Sequence, residues 1–310
     1  MTDATVSILA CDLCGTTSAR TLYGDLHDTA LKGDGVFAMV QCAHCGLVRL
    51  DPRPDAASLA DHYPHEYVPY QKSNRLIRML KRRQWARTEA ILRRSAGGVG
   101  SVFEIGCARG EFLEFLKSRG WRTAGLEMDP VSAEAARAEG ADVRADTFES
   151  AEFASNERFD CVVLSYVLEH LPSPLAALTK IHGMLREGGI AVISVPNYES
   201  WDRRAFGRFW HGFDVPRHLH IFSEMTLRAY AAKTGFSTEH MRYGTVPNDW
   251  IGGMSRIARE RGKVRLAGFL TYKNPLLAAV CFPLSLAASA LGASSRFTFF
   301  LRKRSVISGV

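Results

Sequence analysis

Val102-Phe103-Glu104-Ile105-Gly106-Cys107-Ala108-Arg109-Gly110, continued by Glu111-Phe112-Leu113-Glu114-Phe115-Leu116-Lys117, decides the fold. Apolar residues run into a carboxylate, a turn with glycines at its first and last positions follows, and the spacing of apolar residues over 111–117 predicts an amphipathic helix. The stretch reads as strand, loop and helix around a nucleotide. Glycines let the backbone pass close to a ligand with no Cβ in the way, and the helix start offers free N–H groups.

Downstream, strand and helix patterns alternate. Arg122 to Leu126 reads as a second strand that stops at Glu127-Met128-Asp129-Pro130, with Pro130 opening a helix through Ala141. Glu127 lies 17 residues beyond Gly110, where a carboxylate can accept both hydroxyls of a ribose. Asp142 to Arg144 is a third strand, ahead of Asp146, and Phe159 to Ser165 a fourth, apolar enough for a parallel sheet. A helix from Pro174 is predicted to stop at Arg186-Glu187-Gly188-Gly189, before a fifth strand over Ile190 to Val195. Ser223 to Thr226 begin a capped helix ended by Gly235, Thr238 to Tyr243 reads as strand six, and Phe297 to Arg302 as an antiparallel seventh strand at the sheet's edge. Such alternation implies right-handed crossovers and one parallel sheet with its ligand at the strands' carboxyl ends. A dinucleotide fold and a methyl-donor fold both fit to this point.

Upstream, Cys11-Asp12-Leu13-Cys14-Gly15 and Cys42-Ala43-His44-Cys45-Gly46 form a pair of Cys-x-x-Cys-Gly turns. Each aims two thiolates at one point, so Cys11, Cys14, Cys42 and Cys45 can close a tetrahedral shell around a structural zinc ion. A closed shell has no open coordination site and carries no catalysis. The metal lets a segment of about forty residues fold that is too short to build its own core. The expected organisation is a zinc module over 1–54, an aromatic and basic helical linker over 55–98, and an α/β domain over 99–310. In the linker, His62 to Tyr70 either covers a ligand edge or packs the module on its neighbour. The basic residues of 75–94 form either a solvated face or a grip on a phosphate-bearing substrate or a membrane surface.

The 310 residues, 46% hydrophobic and 23% charged, allow a sizeable core, and a net charge of +7 favours acidic partners or simply keeps the protein in solution. Met1 to Ala10 lacks a basic region followed by a long apolar run, so the expected compartment is the cytoplasm, at most peripheral at the inner face of the membrane.

With these elements in order, the chain resembles the class I S-adenosylmethionine-dependent methyltransferases over roughly 99–303. The match rests on Glu104 to Gly110, Glu127, Asp146, Phe159-Asp160 and Leu185 to Gly189, while Gly106 to Gly110 lacks the G-x-G-x-x-G spacing of a dinucleotide loop. The resemblance implies a Rossmann-like seven-stranded sheet, mostly parallel with an antiparallel last strand, and S-adenosylmethionine as cofactor. Glu104 is then expected beside the methionine amino end, where a pyrophosphate would be repelled. Gly106 and Gly110 form the loop, Glu127 binds the ribose and Asp146 lies in the adenine region; Cys107, Met128 and Ser165 complete the expected cofactor-binding set. Ala108 departs from the family, which more often has glycine there, and is tolerated if its φ is negative.

The zinc module together with His211 to Ser223 is similar to a bacterial branch of glycan and small-molecule methyltransferases and, distantly, to deoxysugar C-methyltransferases. In the latter a His-Glu-His-Leu-Ser-Tyr-Phe-Ser-like stretch supplies the base. Its second histidine matches His218, while Arg217 replaces the glutamate and Pro216 the first histidine. A neutral imidazole suits a hydroxyl acceptor. His218 is therefore the expected base, and His220 shares its face if the stretch is extended; His170, just past strand four, is expected to line the acceptor pocket. A buried histidine bonded to backbone is the plain alternative.

Residues 244–295 form an insertion, basic at first and uncharged from Asn274 to Ser295. Pro275 and Pro283 are expected to divide it into short pieces, making it either an apolar lid or a hairpin in a membrane interface. The leading expectation is methylation of a small-molecule or lipid-linked acceptor, a sugar hydroxyl in glycan or natural-product biosynthesis, with peripheral membrane contact through 256–295. Two alternatives stand beside it: an RNA methyltransferase gripping phosphates through zinc module and basic helix, and a non-catalytic protein that binds a partner.

Overall fold

The computed structural model of the chain describes residues 9–28, 35–54, 62–63, 75–271 and 274–304. The linker reading over 64–70 and the side chains of Leu76, Ile77 and Leu80 fall outside the described residues. In chain order the elements are β1 (Ala19–Leu26), β2 (Phe37–Cys42), β3 (Val48–Asp51), α1 (Arg75–Ser95), β4 (Ser101–Ile105), α2 (Glu111–Lys117) and β5 (Arg122–Glu127). Then follow α3 (Pro130–Ala138), β6 (Val143–Ala145), β7 (Phe159–Ser165), α4 (Pro174–Met184), β8 (Leu185–Pro196), α5 (Trp201–Phe206), β9 (His220–Ile221) and α6 (Glu224–Lys233). The last elements are β10 (Phe236–Tyr243), α7 (Pro247–Glu260), α8 (Val264–Phe269), α9 (Pro275–Ala290) and β11 (Arg296–Lys303).

The main sheet has seven strands in the order β10-β11-β8-β7-β4-β5-β6. Strands β6, β5, β4, β7 and β8 run parallel, and β11 is antiparallel to both β8 and β10. The sequence order reverses between β4 and β7, which puts the crevice for a ligand at the carboxyl ends of those strands. Strand β11 was expected at the edge; it lies inside the sheet, and β10 is the edge strand. The reason is its composition. Phe297, Phe299, Phe300 and Leu301 are all buried, so both faces of β11 need cover, whereas β10 is only partly covered.

Two further boundaries differ from the sequence reading. Helix α4 ends at Met184, because Leu185 is already extended and pairs with Phe159, so Gly188 and Gly189 lie within β8 and do not cap a helix. Pro283 does not split the apolar stretch but sits inside α9. A proline removes one backbone hydrogen bond, to the residue four back. Here Pro283 and Ala279 both lie on the exposed side, so the loss falls on the outer surface of the helix.

The N-terminal strands do not stand alone. A second, antiparallel sheet has the order β1-β2-β3-β9, in which Val48 pairs with Ile221 and Arg49 with His220. Two residues more than 170 positions further along thus complete the sheet beside the cysteines. Helix α1 is held to α2 by Trp85, whose ring lies 5.8 Å from Phe112 and 5.6 Å from Phe115, and to the turn before β5 by Trp121 Nε1 donating to Glu89 Oε1 at 3.1 Å.

Candidate functional site

The cofactor end is built by the β4 turn. The N–H groups of Gly106 and Cys107 both donate to Leu126 O, at 2.8 and 3.1 Å, which ties the turn to β5. Gly106 has φ +69, and a Cβ there would lie 2.5 Å from Val167 Cγ2, so any other residue would close the gap between this turn and the end of β7. Gly110, with φ +70, precedes α2.

Ala108 has φ +47. The expected negative angle is not adopted, because the peptide must turn its N–H onto Glu127 Oε2, 2.7 Å away. An L-residue in this region carries a steric cost of about 1–2 kcal/mol, against which glycine's extra freedom in the unfolded chain offsets about 0.4–1 kcal/mol. Ala108→Gly is therefore expected to raise stability by up to about 1.5 kcal/mol, read as a higher denaturant midpoint at unchanged slope. A lower midpoint would show that the methyl group contributes packing the angle does not reveal.

Glu127 is buried, with Oε1 accepting from Asp129 N at 2.9 Å and Oε2 from Ala108 N. Each oxygen keeps a second lone pair for a ribose hydroxyl. Glu104 is also buried, and its Oε2 has no hydrogen-bond partner among the described residues. Burial, with the charge of Glu127 adding to it, pushes the Glu104 carboxyl well above the usual range. An orphaned buried carboxylate beside a glycine cradle fits a cationic amine, as S-adenosylmethionine would present. Among the other expected residues, Met128 is half exposed, and Ser165 is exposed at the end of β7. Cys107 is buried with its sulfur against Gly125, so it packs under the turn. Asp146 is exposed, and Ser150 Oγ and Thr147 N both donate to its Oδ1, which holds its carboxyl below the usual range. It shapes the loop after β6.

The second half of the site starts where β7 ends. Tyr166 has φ +60, and the turn Leu168–His170 follows directly on Val167, the residue that faces Gly106. Within it Glu169 is fully buried; neither carboxylate oxygen has a hydrogen-bond partner among the described residues, and burial pushes its pKa up to about 8. His170 Nδ1 lies 3.0 Å from Arg217 O and 2.8 Å from the Tyr63 hydroxyl, and His218 Nδ1 lies 2.7 Å from Gly212 O. A carbonyl only accepts, so both rings carry their proton on Nδ1 and an open lone pair on Nε2. The two rings meet edge to face with centroids 4.7 Å apart, and His218 Nε2 is 4.0 Å from Glu169 Oε1. One donor atom of each of the three residues lies within 4.8 Å of the other two. Burial holds His218 down to about 4 and, with His218 adding, His170 to about 3. At neutral pH the cluster is therefore two neutral imidazoles beside a largely protonated carboxyl.

Arg217, which stands where the compared motif has glutamate, braces this cluster. Its guanidinium is buried and donates to Asp214 Oδ2 and Oδ1 at 2.9 and 2.8 Å, and to Asp28 Oδ2 and Oδ1 at 2.8 and 3.2 Å. Burial opposes ionisation of Asp214, but the hydrogen bonds and charge of Arg217 outweigh it and hold that carboxyl well below the usual range. Glu169, Asp214 and Asp28 were not singled out from the sequence. A signal existed for two of them: Glu169 precedes His170 at the end of a strand, and Asp214 lies three residues before Arg217. His220 is fully buried, and Arg53 Nη2 lies 3.0 Å from its Nε2. A guanidinium only donates, so the lone pair of His220 is taken.

The four cysteines converge. Cys11 and Cys45 sulfurs are 3.5 Å apart, as are those of Cys14 and Cys42, and all four fall within 4.8 Å of one another. Four sulfurs about 2.3 Å from a tetrahedral zinc ion are separated by about 3.8 Å, so the set fits such an ion. The turns dock on the main domain. Asp12 accepts from Ser173 Oγ at 2.6 Å, Leu175 N at 2.9 Å and the Tyr230 hydroxyl at 2.9 Å, and Lys233 Nζ donates to Leu13 O. Cys11, Leu13, Cys42 and Leu47 share one core cluster with Phe222, Leu227 and Tyr230.

Comparison with known proteins places these features. A family model described as a methyltransferase domain matches residues 54–241. The ubiquinone biosynthesis O-methyltransferase of Cereibacter sphaeroides is 30% identical over 130 residues, covering 40% of this chain and 53% of that protein. The protein of the same name from Aeromonas salmonicida is 30% identical over 118 residues, covering 36% and 50%. The chain thus spans about half the length of these curated relatives. Among solved structures, a Galdieria sulphuraria protein described as a sarcosine dimethylglycine methyltransferase aligns with a TM-score of 0.50 at 15% identity, over 73% of this chain and 86% of that one. That likeness concerns the fold.

Proposed function

The chain is a class I S-adenosylmethionine-dependent methyltransferase, a member of the family matched over 54–241, and on that premise we propose that it methylates a hydroxyl oxygen with His218 as the base. The acceptor we infer is a small-molecule or lipid-linked sugar of glycan or natural-product biosynthesis. The observation that carries this reading is the open lone pair on His218 Nε2, fixed by the Nδ1 bond to Gly212 O, within 4.0 Å of a buried carboxyl.

The bound donor supplies an already activated methyl group, so the chain's own work is alignment and proton removal. Glu104 and Glu127 hold the amine and ribose ends, and Gly106 leaves room between them and Val167. His218 Nε2 takes the hydroxyl proton, and the imidazolium so formed is stabilised by Asp214 and by Glu169 once ionised. His170 orients the acceptor through its Nε2. His220, its lone pair taken, positions β9 and is not the base. Relatives named O-methyltransferases support oxygen as the accepting atom.

We assign the four cysteines a structural zinc ion. Of the two elements an RNA reading would use, the cysteine turns are packed on α4 and α6, which supports a small acceptor, while Arg82, Arg83, Arg87, Arg93 and Arg94 of α1 are exposed. The test is incubation with methyl-labelled donor and fractionated extract, followed by mass spectrometry. Label on a hydroxyl of a small or lipid-linked molecule is expected; label on RNA or protein would overturn the reading.

Glu104→Gln tests the cofactor half separately. Removing a buried charge-assisted bond of about 1.5–3 kcal/mol weakens S-adenosylmethionine binding roughly ten- to hundredfold. Because the free carboxyl is held above its usual range and a cation beside it lowers it again, binding should release protons at a pH between the free and the paired values. Calorimetry in buffers of different ionisation enthalpy should show that release in the native protein and not in the variant; release in both would exclude Glu104 as its source.

A further inference from the structure

Helix α9 is inside out. A surface helix normally buries its large apolar residues and exposes polar ones, but α9 buries Cys281, Ser285 and Ala288 against its neighbours while Leu276, Val280 and Leu286 are 73, 75 and 52% exposed. Leu291, just past its end, is 68% exposed, and on α8 Val264 and Phe269 are 74 and 58% exposed. No Asp, Glu, Lys or Arg occurs between Asn274 and Ser295. Large apolar side chains concentrated on one surface of a folded protein mark a site of contact.

We propose that α8 and α9 dock this protein on an anionic phospholipid surface. Charge complementarity selects that occupant. Arg259, Arg261, Lys263 and Arg265 are exposed where α7 runs into α8, flanking the exposed Val264 in the chain, with Glu260 as the one acidic residue between Arg259 and Arg265. Apolar side chains entering the acyl boundary and basic ones meeting phosphates is the arrangement of an interfacial helix. A second copy would offer only the same apolar surface and basic residues of like sign. Helix α9 has 16 residues, about 24 Å at 1.5 Å each, and no helix among the described residues is long and apolar enough to cross a membrane, so the contact lies in the plane of the interface.

The placement also deepens the proposed function, on which its substrate consequence rests. Helix α9 packs on α7, and α7 packs on the turn of His211 to Phe213. Arg256 of α7 donates to Trp210 O at 2.9 Å and reaches Asp214 Oδ1 at 3.4 Å, beside the residues that brace His218. The lid and membrane readings of the insertion thus fall to different helices, α7 covering the acceptor segment and α9 facing the lipid. An acceptor presented from the lipid surface suits that order.

Flotation with vesicles tests docking without any acceptor. The full chain is expected to float with phosphatidylglycerol-containing vesicles at low salt, to lose most binding at 0.5 M salt, and to stay behind with phosphatidylcholine alone. Paired changes Val280→Asp with Leu286→Asp, and Arg261→Glu with Lys263→Glu, should each reduce binding at least tenfold with S-adenosylmethionine binding unchanged, which shows that the variants fold. A native chain that stays in solution with anionic vesicles at low salt overturns the proposal. So does a dimer, measured by light scattering, that the Val280 and Leu286 changes dissociate in the absence of vesicle binding. Vesicle binding without methylation of any lipid-linked hydroxyl would leave docking standing and remove its link to the acceptor.

Discussion

His218→Ala is expected to lower kcat about 10²- to 10⁴-fold, the usual contribution of a positioned general base, while S-adenosylmethionine binding stays unchanged. The separation follows from the two halves of the site. The residues proposed to hold the cofactor are Glu104, Glu127 and the β4 turn, whereas the ring nitrogens of His218 face Gly212 O and Glu169. The pH dependence carries a further sign. Burial raises Glu169 to about 8, so the group is protonated and neutral below that pH and anionic above it. An anion 4.0 Å from His218 Nε2 favours the imidazolium that forms on proton transfer. Turnover should therefore rise as pH increases through about 8, and the rise should vanish in Glu169→Gln, which cannot ionise. His218 itself, held to about 4, is neutral throughout that range and contributes no limb of its own. A native profile flat between pH 6 and 9 would remove Glu169 from this positioning role, and unchanged turnover in His218→Ala would remove the base.

Loss of the metal proposed at the cysteines should have the largest effect on stability. Metal content is expected at one zinc per chain, and stripping it, or Cys42→Ser, should cost about 5 kcal/mol or more, a fraction of what isolated zinc fingers gain from their ion. In a chain of this size that lowers Tm by about 8 °C or more. The expected damage reaches well beyond the cysteines. Strand β3 leaves the second cysteine pair and pairs with β9, whose first residue, His220, lies two positions after His218, and Leu50 N donates to Leu219 O at 3.0 Å. Loosening the cysteine turns therefore frees the segment that holds the base. The distinguishing result is a chain that still binds S-adenosylmethionine but no longer turns over. Purified protein without zinc, or unaffected by a strong chelator, would return the four residues to free thiols.

Much of this fold is written locally. Strand β7 falls where the run Phe159 to Ser165 places it, because a strand buried on both faces reads as a continuous apolar stretch. The same holds for Ser223 and Thr226, whose reciprocal capping bonds are visible as residue types at the right spacing. Misreadings arose where local signals met distant demands. Gly188-Gly189 looks like a helix stop, yet pairing of Leu185 with Phe159 had already drawn the chain into β8. Ala108 looks like a residue for negative φ, yet Glu127, 19 positions on, requires its N–H. Pro283 looks like a breaker, yet the exposed side of α9 tolerates it.

The sequence by itself determined the alternation of strands and helices, the glycine turn, the carboxylate that ends the second strand of the main sheet and the four cysteines, because each is a residue type at a short, fixed spacing. Only the tertiary structure decided the cluster beyond β7. Glu169, His170 and His218 come from two loops 48 residues apart and are joined by burial. Arg217 acquires its role from Asp28, 189 positions away, and the meaning of α9 lies in which of its faces is left exposed. Periodicity reports that a helix has two faces; which one meets the core depends on what packs against it, and that is a property of the whole chain.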